Sequence, residues 1–378
     1  MRYWRAGLLA AIGCIAVAAQ SKQPADTLND QGLAASARGD FAEAQRLLGE
    51  SAQLWQEMGP QFEGHAAIVM ANLAEALCGE GKWNEGARML STALEMSRRA
   101  LGAQHVNTVA NMSLLASADM VLGELDRAMD LFHEALAIER ERYPGSTQLA
   151  HTLLGISSYK VRIDRMAEAL PPAEEGLQIL LAAGGEDNPD TAMAYANVGQ
   201  IHLFSGEPAR AIPLFHKAEA ICRALGMADS PRYAFVLSQE GLALLQEGKV
   251  ALADRGMTRA LELLLPCSGC RYQTAIAQSN LGLLRLKEGK YGDADSLLSH
   301  SLALQESYTT EPGRDMAATL DRLAEVRRRE HRLSDAEELH HRAIAMQSYR
   351  QGVRTQKRVS APGKLISAAL FGSGLPCS

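Results

Sequence analysis

The feature that most constrains this chain is a period. A small residue inside a Glu-Ala- or Arg-Ala-like pair stands at Ala44, Gly86, Ala128, Ala169, Ala211, Ala253, Ala294 and Ala336, with successive spacings of 42, 42, 41, 42, 42, 41 and 42. Eight returns at that regularity describe one unit copied along the chain, in which each copy touches only its neighbours and no central core is needed. Three residues before each small position stands a bulkier one: Phe41, Trp83, Leu125, Met166, Pro208, Val250, Tyr291 and Leu333. Five before it is usually glycine, at Gly39, Gly81, Gly123, Gly206, Gly248 and Gly289, with Asp164 and His331 as the exceptions. Twelve before it the chain is small again (Gly32, Ala74, Ala116, Ser157, Gly199, Gly241, Gly282, Ala324), and so it is seven after, from Ser51 to Ala343.

Each position has a physical task. Every unit is two helices, and the glycine precedes the second, where it ends the first in the left-handed conformation without a Cβ penalty. The bulky residue then covers the turn. The small positions mark where the two helices cross and their backbones approach. Larger apolar residues at helical spacing, such as Leu73, Leu77, Leu90 and Leu94, fill the space between. One such pair cannot bury its apolar face alone; stacked pairs bury a continuous one.

Asn188, Pro189 and Asp190, the Ser230-Pro231 pair, and the Pro144-Gly145 and Pro312-Gly313 pairs are turn signals. Asp190 or Thr191, Ser230 and Thr274 are candidate helix N-caps. Pro171 and Pro172 fall inside the fourth unit's second helix and predict a late start or a kink there. Pro213 in the fifth unit is placed in a first turn, where proline is tolerated.

Small residue, glycine, bulky residue, alanine and alanine at these offsets resemble the tetratricopeptide repeat. A period of 42 rather than about 34 resembles the kinesin-light-chain-like subclass. So do Asn72-Leu-Ala, Asn197-Val-Gly and Asn280-Leu-Gly, and the loops from Gly102 to Thr108 and Gly185 to Thr191. The resemblance implies an all-α fold, a right-handed α-α superhelix of about eight helix-turn-helix repeats over residues 26–350. The units are read as 26–60, 65–102, 107–143, 148–184, 190–225, 231–266, 273–308 and 315–350. It also implies that the first helices line a concave surface that takes a protein or peptide ligand.

In that register the groove candidates are Gln200 and Leu203 in unit five, Leu245 in unit six, Leu286 and Lys287 in unit seven, and Arg328 and Arg329 in unit eight. They describe a small, apolar groove with a basic end, suited to an extended or helical peptide with an acidic end. The other reading has neighbouring units tilt over these positions and bury them. Asn72, Asn197, Gln239 and Asn280 share one register. By the resemblance their amides hydrogen-bond a ligand's backbone; the alternative is an amide bonded to the neighbouring unit.

Residues 1–19 read as a signal peptide: Arg2 and Arg5, then an apolar stretch from Ala6 to Val17 too short for a permanent span, then small residues for cleavage near Gln20. The expected location is therefore periplasmic or secreted, with lipid anchoring through Cys14 as the less favoured alternative and no transmembrane span in the mature chain. Cys267 and Cys270 lie in the loop between units six and seven and are expected to form a local disulfide. A zinc site would need two more ligands at matching spacing. No metal, cofactor or catalytic residue is assigned. The net charge of −6 without a basic stripe gives no nucleic-acid footprint. The tail, 355–378, holds a basic run, Pro362-Gly363 and an apolar piece from Leu365 to Phe371 that suits a cap for the last unit. The functional expectation is an exported scaffold for protein–protein interaction, not an enzyme. The alternatives are a cell-envelope assembly or polysaccharide-export accessory protein, and an enzyme with a dispersed site.

Overall fold

The computed structural model describes residues 23–267, 269–308 and 314–360. The expected leader, the Pro312-Gly313 turn and the tail beyond Ser360 lie outside them. The described residues form helices in pairs: α1 (Pro24–Ala37) with α2 (Phe41–Glu57), α3 (Glu63–Gly79) with α4 (Trp83–Ala100), α5 (Val106–Leu122) with α6 (Leu125–Arg142), and α7 (Thr147–Arg162) with α8 (Met166–Gly184). There follow α9 (Pro189–Phe204) with α10 (Pro208–Ala224), α11 (Pro231–Gln246) with α12 (Val250–Leu264), α13 (Arg271–Lys287) with α14 (Tyr291–Tyr308), and α15 (Arg314–Arg329) with α16 (Leu333–Ser360). No strand occurs among the described residues. The architecture is the expected all-α superhelix of paired helices.

The turn inside each pair is the same eight times. The residue five before the small position has positive φ in every unit, from 75° to 91° at Gly39, Gly81, Gly123, Gly206, Gly248 and Gly289, and 63° at both Asp164 and His331. The two exceptions in the sequence are thus not exceptions in the backbone. A side chain there costs about 1–2 kcal/mol in the left-handed region, and Asp and His are among the types that tolerate it best.

All eight small positions are buried, seven alanines among them. The crossing partner is the residue four further on. A Cβ added at Gly32 would stand 2.6 Å from Leu48 Cγ, at Gly241 2.6 Å from Met257 Cγ, at Gly282 2.7 Å from Leu298 Cγ, and at Gly199 3.0 Å from the Phe215 ring. At the first three the added Cβ would come closer than real Cβ atoms do and at Gly199 it would be tight, so a side chain there would push the facing residue aside, and glycine keeps the crossing close.

Four local expectations are corrected. α8 starts on time at Met166 and runs unbroken through Pro171 and Pro172. Their missing N–H groups release the carbonyls of Ala167 and Glu168, which lie on an exposed stretch open to solvent. In α10 it is Pro208 that occupies the first turn; Pro213 sits inside the helix on an exposed position. The N-cap of α9 is Asn188, whose side chain accepts from the Asp190 N–H at 2.8 Å, with Pro189 in the first turn. Ser230 caps α11 as expected, at 3.2 Å from the Tyr233 N–H, whereas Thr274 lies one turn inside α13 and is buried.

The odd-numbered helices also pack on one another from unit to unit, and the even-numbered ones are spread apart. The array therefore curves, with odd helices inside and even helices outside. The curvature is tight enough for successive turns to touch. Gly269, in the loop after α12, packs on the C-terminus of α3, where an added Cβ would stand 2.1 Å from the Gly79 carbonyl oxygen. Further along, Arg314 at the start of α15 pairs with Asp164 in the α7–α8 turn at 2.7 Å and stacks over the Phe204 ring, 4.1 Å from its centroid. The concave side of this curve, walled by the inner helices, is the lumen.

Candidate peptide-binding lumen

Which side chains face the lumen follows from the contacts between inner helices. The residue eleven before each small position is the open row: Leu33, Glu75, Ser117, Ser158, Gln200, Leu283 and Glu325 are partly or fully accessible, and only Leu242 is buried. The rows on either side turn into the seam between neighbouring inner helices. Leu203 and Leu245, placed in the groove by sequence, are 1% and 2% exposed. They are core residues, because the next inner helix lies over them. Gln200 stays half-buried on the open row.

The amide row is a set of bonds between units. Asn72 Nδ2 donates to Asn29 Oδ1 at 2.8 Å, Asn197 Nδ2 to Ser158 Oγ at 3.1 Å, and Asn280 Nδ2 to Ser238 Oγ at 3.1 Å. In unit eight the same register holds Arg322, which donates to Ser279 Oγ at 2.8 Å and Asn280 Oδ1 at 3.2 Å. Gln239 and Asn280 are buried, and the Gln239 carbonyl oxygen has no partner. Asn72, Asn197 and Asn280 each tie their unit to the one before it, so the ligand-backbone role is replaced by a structural one at those three positions. Sequence reasoning missed Arg322, although it stands at the same offset.

At the expected basic end the two arginines are engaged within their own helix. Arg328 and Arg329 both donate to Glu325, at 2.7 Å and 2.8 Å, and their guanidinium groups hold its carboxyl down to about 2. Among the described residues Lys287 has no acidic partner. It lines a cavity of 460 Å³ with Leu283, Leu286, Tyr291, Glu325 and Arg329. Three of the sequence candidates, Leu286, Lys287 and Arg329, thus come together between α13, α14 and α15, with two leucines as an apolar floor. Leu283, on the open row, lies at an outward position of the same register, whereas Tyr291, whose ring belongs to the turn-covering position, was not singled out as a ligand contact.

A second polar cluster lies inside the lumen. Asp190 in the first turn of α9 accepts from His151 Nε2 of α7 at 3.0 Å and from Arg232 Nη1 of α11 at 3.1 Å. The hydrogen bond from His151, with the Arg232 charge behind it, holds the Asp190 carboxyl down to about 2 against its desolvation. Glu75 on α3 lies in the electrostatic field of all three. Asp190 was read from sequence only as part of a turn and a candidate helix cap, and His151 and Arg232 stood in no recognisable motif.

Cys267 and Cys270 are disulfide-bonded, in the loop whose Gly269 meets α3. Cys78 and Cys222 are free and buried; desolvation pushes the Cys78 thiol up to about 12 and raises Cys222. Among the described residues no three His, Cys, Asp or Glu side chains gather as metal ligands, and no helix is long and apolar enough to cross a membrane.

Comparison with known proteins agrees with this geometry. The tetratricopeptide repeat profile matches residues 65–141, 148–224 and 273–348, more than half of the chain. The chain belongs to the tetratricopeptide repeat family. It is similar to the human clustered mitochondria protein homolog, 26% identical over 130 residues, which is 34% of this chain and 10% of that protein. The chain thus spans about a tenth of the length of the curated relatives it matches. Among solved structures it resembles the apo form of RapI, with a TM-score of 0.56 and 14% identity, covering 75% of this chain and 97% of that one. It also resembles a Rap protein complexed with competence and sporulation factor, with a TM-score of 0.53 and 14% identity, covering 87% of this chain and 99% of the other. At that identity the likeness shows a common fold.

Proposed function

We propose that this protein is an exported, non-catalytic scaffold that holds a protein or peptide ligand along the lumen formed by its inner helices. The observation that carries the reading is the open row. Seven side chains, one from each of seven units, stay accessible at one register of the inner helices, while the rows beside them are consumed in packing. A surface built that way presents an extended ligand with a regular series of contacts, the binding mode that curved repeat arrays serve. The cavity at Lys287 adds an apolar floor and an unmatched cation, which suits an apolar segment with an acidic residue. A Rap protein of similar fold was solved with competence and sporulation factor, and that complex supports a ligand-binding reading of this superhelix.

Export rests on the N-terminal pattern of Arg2, Arg5 and the apolar stretch to Val17. Sequencing the N-terminus of the chain from its native host tests it. A free end near Ala19 or Gln20 fits the soluble scaffold; a lipidated Cys14 fits the anchored envelope-assembly role; an intact Met1 refutes cleavage.

Photo-crosslinking tests the site. A benzoylphenylalanine placed at Gln200 or Lys287 in the lumen should crosslink a partner in the native host that the same probe at Arg259, on the outer face of α12, does not reach. Crosslinks from position 259 with none from 200 and 287 would refute the inner-face reading.

A further inference from the structure

Three ionisable side chains from three units are joined by hydrogen bonds on the inner face, and a fourth, Glu75, stands in their electrostatic field without a bond of its own. Asp190 has a donor on each oxygen, His151 at 3.0 Å and Arg232 at 3.1 Å, so its charge is met. Glu75 reaches the same place from α3, two units before the nearest of the others. Its carboxylate accepts no hydrogen bond and joins no ion pair among the described residues. The cation whose field it feels most, Arg232, is already engaged by Asp190. Both donors of the cluster are thus taken by Asp190, and Glu75 is the carboxylate left without a contact partner among the described residues.

The surroundings make that lack of a partner consequential. Glu75 is exposed by area, yet the protein around it desolvates its carboxyl and pushes it up. A carboxylate held short of water and short of an internal partner gains more from an incoming cation than a surface carboxylate does. A metal ion is not favoured, because the nearby donors do not converge as ligands. Arg232 beside the site repels a second positive charge, so the arrangement suits one cation and not a basic run.

We propose that Glu75 anchors a single cationic group, the ammonium or guanidinium of a lysine or arginine side chain, carried by an extended peptide lying in the lumen. This assignment rests on the reading of the lumen as the ligand surface. It gives the ligand a polarity: one basic residue opposite Glu75, and an acidic residue with apolar neighbours toward Lys287.

The test uses the full chain and defined probes. Random heptapeptides are selected by display on the wild-type protein, and the best binders are resynthesised with a fluorophore and measured by anisotropy. Enriched peptides should carry one lysine or arginine at a fixed position. Glu75→Gln, which preserves shape, should weaken them about 10- to 100-fold, the range for a hydrogen bond to a charged group. Replacing the peptide's basic residue by norleucine should cost the same on the wild-type chain and add nothing on Glu75→Gln. If the variant melts differently from the parent, the norleucine exchange on the wild-type chain decides alone. Enriched peptides without a basic residue, or binding indifferent to Glu75, overturn the cation assignment and leave the lumen reading standing. A library from which nothing is enriched overturns both.

Discussion

Glu139 allows a quantitative test of how tightly the stacked units exclude water. It lies on α6, fully buried, with Oε1 accepting from Thr152 Oγ1 at 3.1 Å and Oε2 without a partner. Burial pushes its carboxyl from the ordinary 4.5 to about 7, partly opposed by the Thr152 hydrogen bond and the nearby His151. The sign follows from which state holds the proton more firmly. Below pH 4.5 both folded and unfolded chains are protonated at this site and the full stability is present. Between 4.5 and 7 the unfolded chain releases the proton while the folded chain retains it, so stability falls as pH rises. Above 7 the loss is complete. Each tenfold difference in proton affinity between the two states is worth about 1.4 kcal/mol, which makes the whole effect about 3 kcal/mol. Glu139→Gln copies the shape of the neutral acid and cannot ionise. Urea unfolding followed by circular dichroism at pH 4, 6 and 8 should give equal stabilities for parent and variant at pH 4. By pH 8 the variant should lead by about 3 kcal/mol. A difference that does not change with pH, or a variant weaker than the parent at pH 8, would refute the argument.

Other outcomes follow from the packing. Ala211→Arg places a cation at a fully buried crossing of α9 and α10; overfilling costs about 1–3 kcal/mol and the unpaired charge adds more, and an unchanged thermal melt would show the crossing misplaced. Gly269→Ala should separate the loop after α12 from α3 without unfolding any unit, since its Cβ would collide with backbone at 2.1 Å; amide exchange should rise around Gly79 and Gly81, and unchanged protection there would contradict the contact. Alkylation of the native protein without reductant should leave Cys267 and Cys270 unlabelled until reductant is added, and label Cys78 and Cys222 only slowly; rapid labelling of the first pair would contradict the disulfide.

Much of the fold could be read from the chain because the unit's needs are local. A left-handed turn, a close crossing and a bulky cover each demand a residue type at a fixed offset, and eight copies repeat the demand. Asp164 and His331 show the limit of residue type as evidence: the backbone requirement holds there while the usual residue does not. The candidate site was less legible for a different reason. Whether Leu203, Leu245 or Gln200 faces the lumen depends on how steeply each inner helix leans on the next, a small rotation that no single unit encodes. The cluster of Glu75, His151, Asp190 and Arg232 depends on the sum of those rotations over several units. The amides at Asn72, Asn197 and Asn280 were correctly grouped by register, but register alone does not say whether a polar side chain meets a ligand or the adjacent unit.

The touching turns bear on how such a chain can change over generations. Open repeat arrays gain or lose copies freely, since each new copy finds the same neighbours. Here Gly269 must land on Gly79, and Arg314 on Asp164 at a separation of 150 residues. Deleting or duplicating one copy between those pairs would shift one coil out of phase with the next and part both contacts. The copy number in this stretch is therefore fixed by geometry, as the number of teeth is fixed in meshed gears.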